Sequence, residues 1–465
     1  MDALRAVAIL GVVLGHWMVS AIVSDPYLPS TLHGESPLSY VPQFAPASWF
    51  LQTLGLFFFA GGYAAARSRR RAKADPTGTR EGHRGRWARV PRLGARYHRL
   101  VRPLLLFAAV WVPALLLLDA IDAPARTQHV VTSLVTHPLW FLPVYLALVA
   151  LTTPLIKLVA RWGLWSILPA ICVVGITDGL RANGLPLGWK IAVTVIGWSV
   201  PYLLGIAMAE NRLPRYAGAG LLALGGTAGA LLVLVVGYPA SAVGVPGDRW
   251  SNLDPPSLFT VSLAFAQLGV FLLLRARLAG PLRRPRLART VTLLNRTAME
   301  LFCWHQTAML LVVFAGLLVG RHLPGLLDTP DGRWLLHRLV WVPLFLLTLA
   351  GLVAVFHRAS PRHPPTGGRT SWARRRRHRD LDRTGSPSLQ GSMSARCPVA
   401  AGAGSGNDRG LGDGPRCAYR CRTTGVVRSW TRPCGGPAGP IGRRRHCPRD
   451  GIRACSVADG FGSPA

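Results

Sequence analysis

Charged residues are scarce in this sequence. Only 16% of its 465 residues are charged, whereas half are hydrophobic, and the mean hydropathy is +0.30. A soluble protein carries about a quarter charged residues, which it needs to cover its surface. The shortage excludes an ordinary cytosolic globular enzyme and indicates an integral membrane protein with a polar appendix.

Acidic residues and lysine are also few, so arginine supplies nearly all of the formal net charge of +33. Lysine occurs only at positions 73, 157 and 190. Much of the arginine is confined to residues 67–102 and to the tail after His357. Because the charge follows this layout, it does not by itself indicate a nucleic-acid-binding protein, and we expect no nucleic-acid partner.

Cysteine is rare in the apolar part of the chain, where only Cys172 and Cys303 occur. This excludes a disulfide framework there. The other six cysteines lie in the tail, at spacings that match no regular zinc pattern. We therefore expect no bound metal. The first apolar run lacks a basic leader, so we expect no cleaved signal peptide.

Long apolar segments are what the sequence has in abundance. Ten are long enough, or nearly so, to cross a bilayer, which takes about 20 residues. They lie near residues 3–23, 48–66, 101–119, 139–158, 163–177, 188–209, 217–238, 256–275, 298–320 and 334–357. The sequence therefore predicts an all-α integral membrane protein, in which residues 1–357 form a bundle of about ten transmembrane helices.

The tail, residues 358–465, has a different character. It is rich in Arg, Gly, Pro and Ser and has no apolar periodicity, so we predict that it is disordered. Its composition is typical of an unselected extension or of GC-rich sequence translated in another reading frame. A polyanion-binding role for its arginine runs is the alternative.

The loops between the apolar segments alternate in charge. Twelve Lys or Arg residues follow the second segment, between positions 67 and 99, whereas the loop after the first segment has none. The loop after the eighth segment is also basic. By the positive-inside rule, this pattern predicts a multi-pass protein of the cell membrane with both termini cytoplasmic. Contact with anionic lipid is the simplest role for the basic loops.

Ionisable residues within the apolar segments are candidates for chemistry, because burying them in a membrane is costly. Arg5 and His16 are eleven residues apart, which places them on one helix face about 16 Å apart along the axis. His16 would lie deep in the bilayer, either as a proton acceptor or as a structural side chain that bonds a neighbouring carbonyl.

Two further segments carry such residues. The ninth contains Glu300 and His305, for which an interfacial ion pair and a structural hydrogen bond are the alternatives to catalysis. Arg99 and Arg102 share a face at the start of the third, where guanidinium groups suit phosphates, either of a ligand or of lipids.

Six blocks in chain order resemble the signature of the acyltransferase 3 family of membrane acyltransferases. In the first, ten residues separate Arg5 from His16, as in that family. The others are the aromatic and glycine stretch 57–63, the arginine-rich stretch 99–103, and the stretches 137–143, 252–256 and 300–306. The resemblance covers about residues 1–357.

This resemblance implies an O-acyltransferase that moves an acyl group, often acetyl, from cytoplasmic acyl-CoA to a hydroxyl of a carbohydrate, glycolipid or natural product. Acyl-CoA would be a donor substrate held by Arg5, Arg99 and Arg102. His16 would be the general base, assisted by Glu300 or His305. An acyl-histidine intermediate is a variant of this mechanism. A transporter or flippase of an envelope or secreted metabolite is the alternative function.

Overall fold

Ten helical segments in the described residues are long and apolar enough to cross a membrane, which confirms the predicted all-α bundle. The structure is a computed structural model that describes residues 1–25, 27, 31–74, 90–181, 184–319, 323–358, 416–419 and 430–433. For residues 72–74, 90–100, 358, 416–419 and 430–433 it describes the backbone alone. The chain forms two units, Met1–Thr366 and Gly367–Ala465.

In its described residues, the first unit consists of α-helices joined by turns, short 3-10 helices, a small hairpin and a long loop between residues 235 and 257. Its helices are α1 (Asp2–Val19), α2 (Pro37–Tyr40), α3 (Ser48–Leu51), α4 (Leu54–Ala74), α5 (Val90–Ala120), α6 (Ala125–Thr136), α7 (Phe141–Ala150), α8 (Thr152–Trp162), α9 (Leu168–Leu180), α10 (Leu187–Ala209), α11 (Ala217–Leu234), α12 (Leu258–Ala279), α13 (Pro285–Arg296), α14 (Ala298–Val319) and α15 (Trp334–Arg358). Strands β1 (Ala21–Ser24) and β2 (Leu32–Glu35) pair antiparallel, with Ala21 opposite Glu35.

The fourth and fifth segments differ from the sequence prediction in their bounds. The predicted segment 139–158 contains the end of one crossing, Ala125–Ala150, and the start of the next, Thr152–Leu180. The apolar run continues through the junction, so hydropathy does not reveal it. Pro154 explains the break, because it has no N–H to donate to the carbonyl of Ala150 and is tolerated in the first turn of a new helix.

The first segment is also shorter than predicted, since α1 ends at Val19 and not near residue 23. Residues 21–23 are apolar and buried, but they belong to β1. An apolar strand that follows an apolar helix without a polar break is indistinguishable from a continuation of that helix by hydropathy alone.

Helix α1 lies in the middle of the bundle. It packs against α4 on one side and α14 on the other. On the α14 side, Trp17, Trp304 and Phe345 belong to one buried cluster. On the α4 side, Ala8 and Phe59 belong to another. Contacts on both sides explain why seven of the 18 residues of α1 are buried although it is the first helix of the chain.

Helices α4 and α10 approach closely through two glycines. A Cβ on Gly62 would overlap the backbone carbonyl of Tyr202, and one on Gly205 would overlap that of Phe59. Small residues that allow such approach are typical of helix pairs in membranes, where the hydrophobic effect does not drive association between helices. Gly62, which belongs to the 57–63 block, therefore has a packing role.

The long loop between α11 and α12 is held by buried polar groups. Arg181 pairs with Asp178 at 2.8 Å and donates to the carbonyls of Ser251 and Pro255. The Asp178 carboxylate also accepts from the Tyr238 hydroxyl at 2.9 Å. Burial, and then the Asp178 carboxylate, raise the pKa of Tyr238, so that its hydroxyl remains a donor. The fully buried Asn252 donates to the carbonyls of Pro239 and Ser241.

The two ends of the bundle have different chemistry. At one end, called the basic end here, Arg70 of α4 lies 3.9 Å from Glu210 after α10, and Asn295 of α13 donates to the carbonyl of Asp2. At the other, called the cavity end, lie the β1–β2 hairpin and the loop between α11 and α12. The N-terminus and the end of α15 both lie at the basic end, as an even number of crossings requires.

In the second unit the structure describes two strands, β3 (Arg416–Tyr419) and β4 (Trp430–Pro433), which pair antiparallel. The rest of the predicted disordered tail lies outside the described residues.

We predict that Gly62→Ala lowers the free energy of unfolding by about 1–3 kcal/mol, the usual cost of overfilling a packed contact. The measurement is the thermal unfolding midpoint of the purified protein in detergent. Gly226→Ala in α11 is the matched control, because a Cβ there meets no described atom within 4 Å. Equal midpoints for the two variants would contradict the proposed packing role of Gly62.

Candidate functional site

His16 lies in the last turn of α1, near the cavity end of the bundle. Its ring is next to that of His305 from α14, with 5.1 Å between the ring centroids and 50° between their planes. His16 is partly exposed to two cavities, whereas His305 is fully buried. The structure thus brings together two of the three residues predicted to be catalytic.

The orientation of His305 is set by its own helix. Its Nδ1 lies 2.8 Å from the carbonyl of Phe302. Because a carbonyl only accepts, Nδ1 carries the hydrogen, which leaves Nε2 of the neutral ring as an acceptor. Nε2 is buried and has no hydrogen-bond partner among the described residues. The backbone of His305 in turn accepts from the Trp17 indole at 3.0 Å, which ties α14 to α1.

Arg338 of α15 supports the end of α1 from the side of Trp17. It is fully buried and donates to the carbonyls of Trp17, Ser20 and Gly325 at 2.9–3.0 Å, and to the sulfur of Met309. The last carbonyls of a helix have no donor within the helix. A guanidinium group has only donors, so it can bond several of these carbonyls at once.

The sequence interpretation missed Arg338. It stands four residues into the tenth apolar segment, where an arginine is easily taken for a flanking charge. The signal that identifies Arg338 is its depth within the apolar segment. An ionisable residue beyond the first turn of such a segment needs partners within the protein.

A cavity of about 660 Å³ opens beside His16 at the cavity end. Its deep part is lined by His16 and Gln306. One wall comes from α6 and the turn after it, and a second comes from β2 and the residue that follows. Strand β2 packs against α6. The polar residues of the two walls are Arg126, His129, Ser133, His137, His33, Glu35 and Ser36. Gly244 and Pro246 of the long loop complete the lining.

The polar wall from α6 was also missed, although its spacing is visible in the sequence. Arg126, His129 and Ser133 stand at i, i+3 and i+7, so they share one helix face. In a membrane-spanning segment, such a polar stripe indicates a face turned toward an aqueous cavity and not toward lipid.

A smaller cavity of about 60 Å³ also borders His16. His16, His137 and Trp140 are among its lining residues. Trp140 belongs to the 137–143 block, so the structure places this block directly beside His16.

The predicted donor-binding arginines lie at the basic end. Arg5 is partly buried in the second turn of α1, and Arg102 is partly buried on α5. Both helices pack against α14. Arg99 also lies on α5, but its side chain lies outside the described residues. Arg5 and His16 are therefore at opposite ends of the same helix, as the sequence predicts.

Glu300 lies in the first turn of α14, at the basic end and not in the site. Its carboxylate lies 3.3 Å from Nδ1 of His357. Five residues separate it from His305, which corresponds to about 140° around the helix and about 7.5 Å along it. The structure thus places Glu300 apart from the two imidazoles.

Metal ligands are not grouped in the part of the chain that the structure describes, where no three His, Cys, Asp or Glu side chains form such a cluster.

These features define a multi-pass membrane protein with a polar cavity that reaches a pair of imidazoles inside the bundle. The family model for acyltransferase 3, described as an acyltransferase domain, matches residues 1–361. The chain belongs to this acyltransferase 3 family. No curated protein and no solved structure matches it.

We predict that Arg338→Ala lowers the free energy of unfolding by at least about 2 kcal/mol. The substitution leaves three buried carbonyls without their donor, and each unsatisfied buried group costs about 1–3 kcal/mol. The measurement is the unfolding midpoint of the protein in detergent.

Arg333→Ala is the control, because Arg333 is exposed just before α15 and surface substitutions usually change stability by less than about 0.5 kcal/mol. A stability loss no larger for Arg338→Ala than for Arg333→Ala would show that the end of α1 does not depend on this guanidinium.

Proposed function

We propose that this acyltransferase is an O-acyltransferase of the cell membrane. It transfers an acyl group, with acetyl as the first choice, from acyl-CoA to a hydroxyl of a carbohydrate, glycolipid or natural-product acceptor. The observation that carries the proposal is the position of His16, in contact with His305 and open to the large cavity, on the same helix as Arg5. Acyl-CoA is a substrate in this proposal, and no resident cofactor is needed.

In the proposed reaction, His16 acts as the general base. It takes the proton of the acceptor hydroxyl while the oxygen attacks the thioester carbonyl. The carbon–sulfur bond then breaks, and His16 returns the proton to the CoA thiolate. The products are the acyl ester and free CoA. The neighbouring Nε2 of His305 supports this role, because it is a buried acceptor available to orient the ring of His16.

The donor would bind at the basic end. CoA is polyanionic, and Arg5, Arg99 and Arg102 are suited to its phosphates. The pantetheine arm would extend along α1 toward His16. Glu300 would act here as a local partner of His357 near the donor and not at the reacting atoms.

The proposed orientation follows from charge. The arginines in the last turns of α4 and those of α13 lie at the same end as Arg5. The positive-inside rule assigns this end to the cytoplasm, where CoA is found. Both termini of the membrane unit would then be cytoplasmic, and the large cavity would open to the outer face.

We expect His16→Gln to reduce acyl transfer by about 10²–10⁴-fold, the range associated with the loss of a general base. Membranes with matched protein levels are incubated with radiolabelled acetyl-CoA and envelope extract, and label in base-labile esters is counted. His337→Gln is the control, because His337 does not line either cavity described above.

Equal labelling by the wild type and His16→Gln would overturn the catalytic role of His16. If His16→Gln instead spared acyl transfer but stopped export of a metabolite, the transporter function would replace the one proposed here.

We further predict that Arg5→Gln and Arg102→Gln each raise the KM for acyl-CoA about tenfold, with a smaller effect on kcat. A hydrogen bond to a charged group contributes about 1.5–3 kcal/mol, and 1.4 kcal/mol corresponds to a factor of ten. Arg286→Gln in α13 is the control, since it removes an exposed arginine at the same end.

Acetyl-dephospho-CoA lacks the 3′-phosphate, so it tests whether either arginine contacts that phosphate. A variant that has lost the contact to the 3′-phosphate should lose no further affinity when this phosphate is absent from the donor. Unchanged KM values in both variants would contradict donor binding at the basic end.

A further inference from the structure

We infer that the large cavity beside His16 is the acceptor site, and that it selects a polyhydroxyl compound bearing a carboxylate or a phosphate. The inference rests on the proposed function and names the class of its acceptor. It depends on three properties of the cavity: its size, its unpartnered polar atoms and a guanidinium group that has no carboxylate partner among the described residues.

The volume of about 660 Å³ suits an organic ligand of moderate size. Sites for such ligands have volumes of about 300–1,000 Å³. The much smaller cavity of about 60 Å³ that also borders His16 is too small for such a ligand. An acceptor that enters the large cavity would reach His16 from the cavity end, opposite the arginines proposed to bind the donor.

Three lining residues have buried polar atoms that lack a partner among the described residues. They are Nδ1 of His33, Oγ of Ser36 and Oε1 of Gln306. Buried polar groups are nearly always hydrogen-bonded, so each of these atoms calls for a partner from outside the protein. Gln306 is 3% exposed and follows His305 directly, so its partner would lie beside the reacting hydroxyl. The hydroxyl groups of a polyol can donate and accept, as these mixed atoms require.

The guanidinium group of Arg126 favours an anion. Among the described residues that line the cavity, Glu35 is the carboxylate, and its Oε1 lies 3.7 Å from Nε2 of His33. The wall from α6 carries the guanidinium of Arg126 and the imidazole of His129, which are one turn apart. In the described part of the chain, Arg126 has no carboxylate within ion-pair distance. A carboxylate or phosphate on the ligand would provide that partner.

The test measures binding to the purified full-length protein in detergent, without an acyl donor. The probes are glucuronate against glucose, for the carboxylate, and glycerol 3-phosphate against glycerol, for the phosphate. The Kd is obtained from the rise of the unfolding midpoint with ligand concentration, at constant ionic strength. We expect the acidic member of at least one pair to bind at least tenfold more tightly than its neutral member, and that pair identifies the anion.

The contribution of Arg126 is tested with a matched pair of variants. Arg126→Gln should abolish the preference for the acidic probe. Arg249→Gln should keep it, because Arg249 lies 4.9 Å from the ring of Trp250 and does not line the cavity. Arg126 is exposed, so its replacement should leave the unliganded midpoint unchanged, which is checked in the same experiment.

Equal affinity for acidic and neutral probes would overturn the inference, as would the absence of binding by all four. A preference that survives in Arg126→Gln would overturn the role of this residue and hence the assigned site. Because no donor is present, these outcomes are independent of catalysis. If the protein prefers the acidic probe but acyl transfer does not depend on His16, the proposed function alone is rejected. If acyl transfer depends on His16 but the acidic probe is not preferred, this inference alone is rejected.

Discussion

The backbone carbonyls at the end of α1 impose the constraint on which the site depends. A helix that stops inside an apolar bundle leaves its last carbonyls without donors from the helix itself. Arg338 supplies them, since one guanidinium reaches Trp17, Ser20 and the neighbouring Gly325. Its planar group offers five donors and stays charged without a carboxylate, which a lysine does less well. Because this end is held, α1 can stop at Val19, the hairpin can begin, and a cavity can open beside the last helical turn.

The position of His16 then depends on a second tie, between α1 and α14. The Trp17 indole donates to the backbone of His305, while the ring of His305 is held by the carbonyl of Phe302. Both imidazoles are thus placed by backbone contacts that involve their neighbours in sequence. An arrangement of this kind leaves Nε2 of His305 free of competing structural bonds among the described residues. Such preorganisation by supporting contacts is what a reactive group requires if it is not to relax into an unproductive geometry.

Much of this architecture can be predicted from sequence, and the failures have physical causes. The number of crossings was predicted because about 20 apolar residues are a strong signal, and the Arg5–His16 spacing placed both residues on one helix. The junction at Leu151 and the start of β1 were misplaced because hydropathy does not register a turn between two apolar elements. The pairing of His16 with His305, the position of Glu300 and the contacts of Arg338 depend on how distant helices pack, which one sequence does not specify. The polar stripe on α6 was available in the spacing of Arg126, His129 and Ser133.

The packing also bears on the choice between transfer and transport. Secondary transporters expose a central site alternately to the two sides, largely by moving one group of helices against another. Here α1 is tied to α14 and α15 by Trp17 and Arg338, and α4 meets α10 through glycines that bring backbone against backbone. Movement of α1 between these neighbours would break buried hydrogen bonds at each tie. An acyltransferase needs no such movement, because donor and acceptor can approach one histidine from opposite ends and only the acyl group passes between them. The ties around α1 therefore favour the proposed transfer across a fixed site.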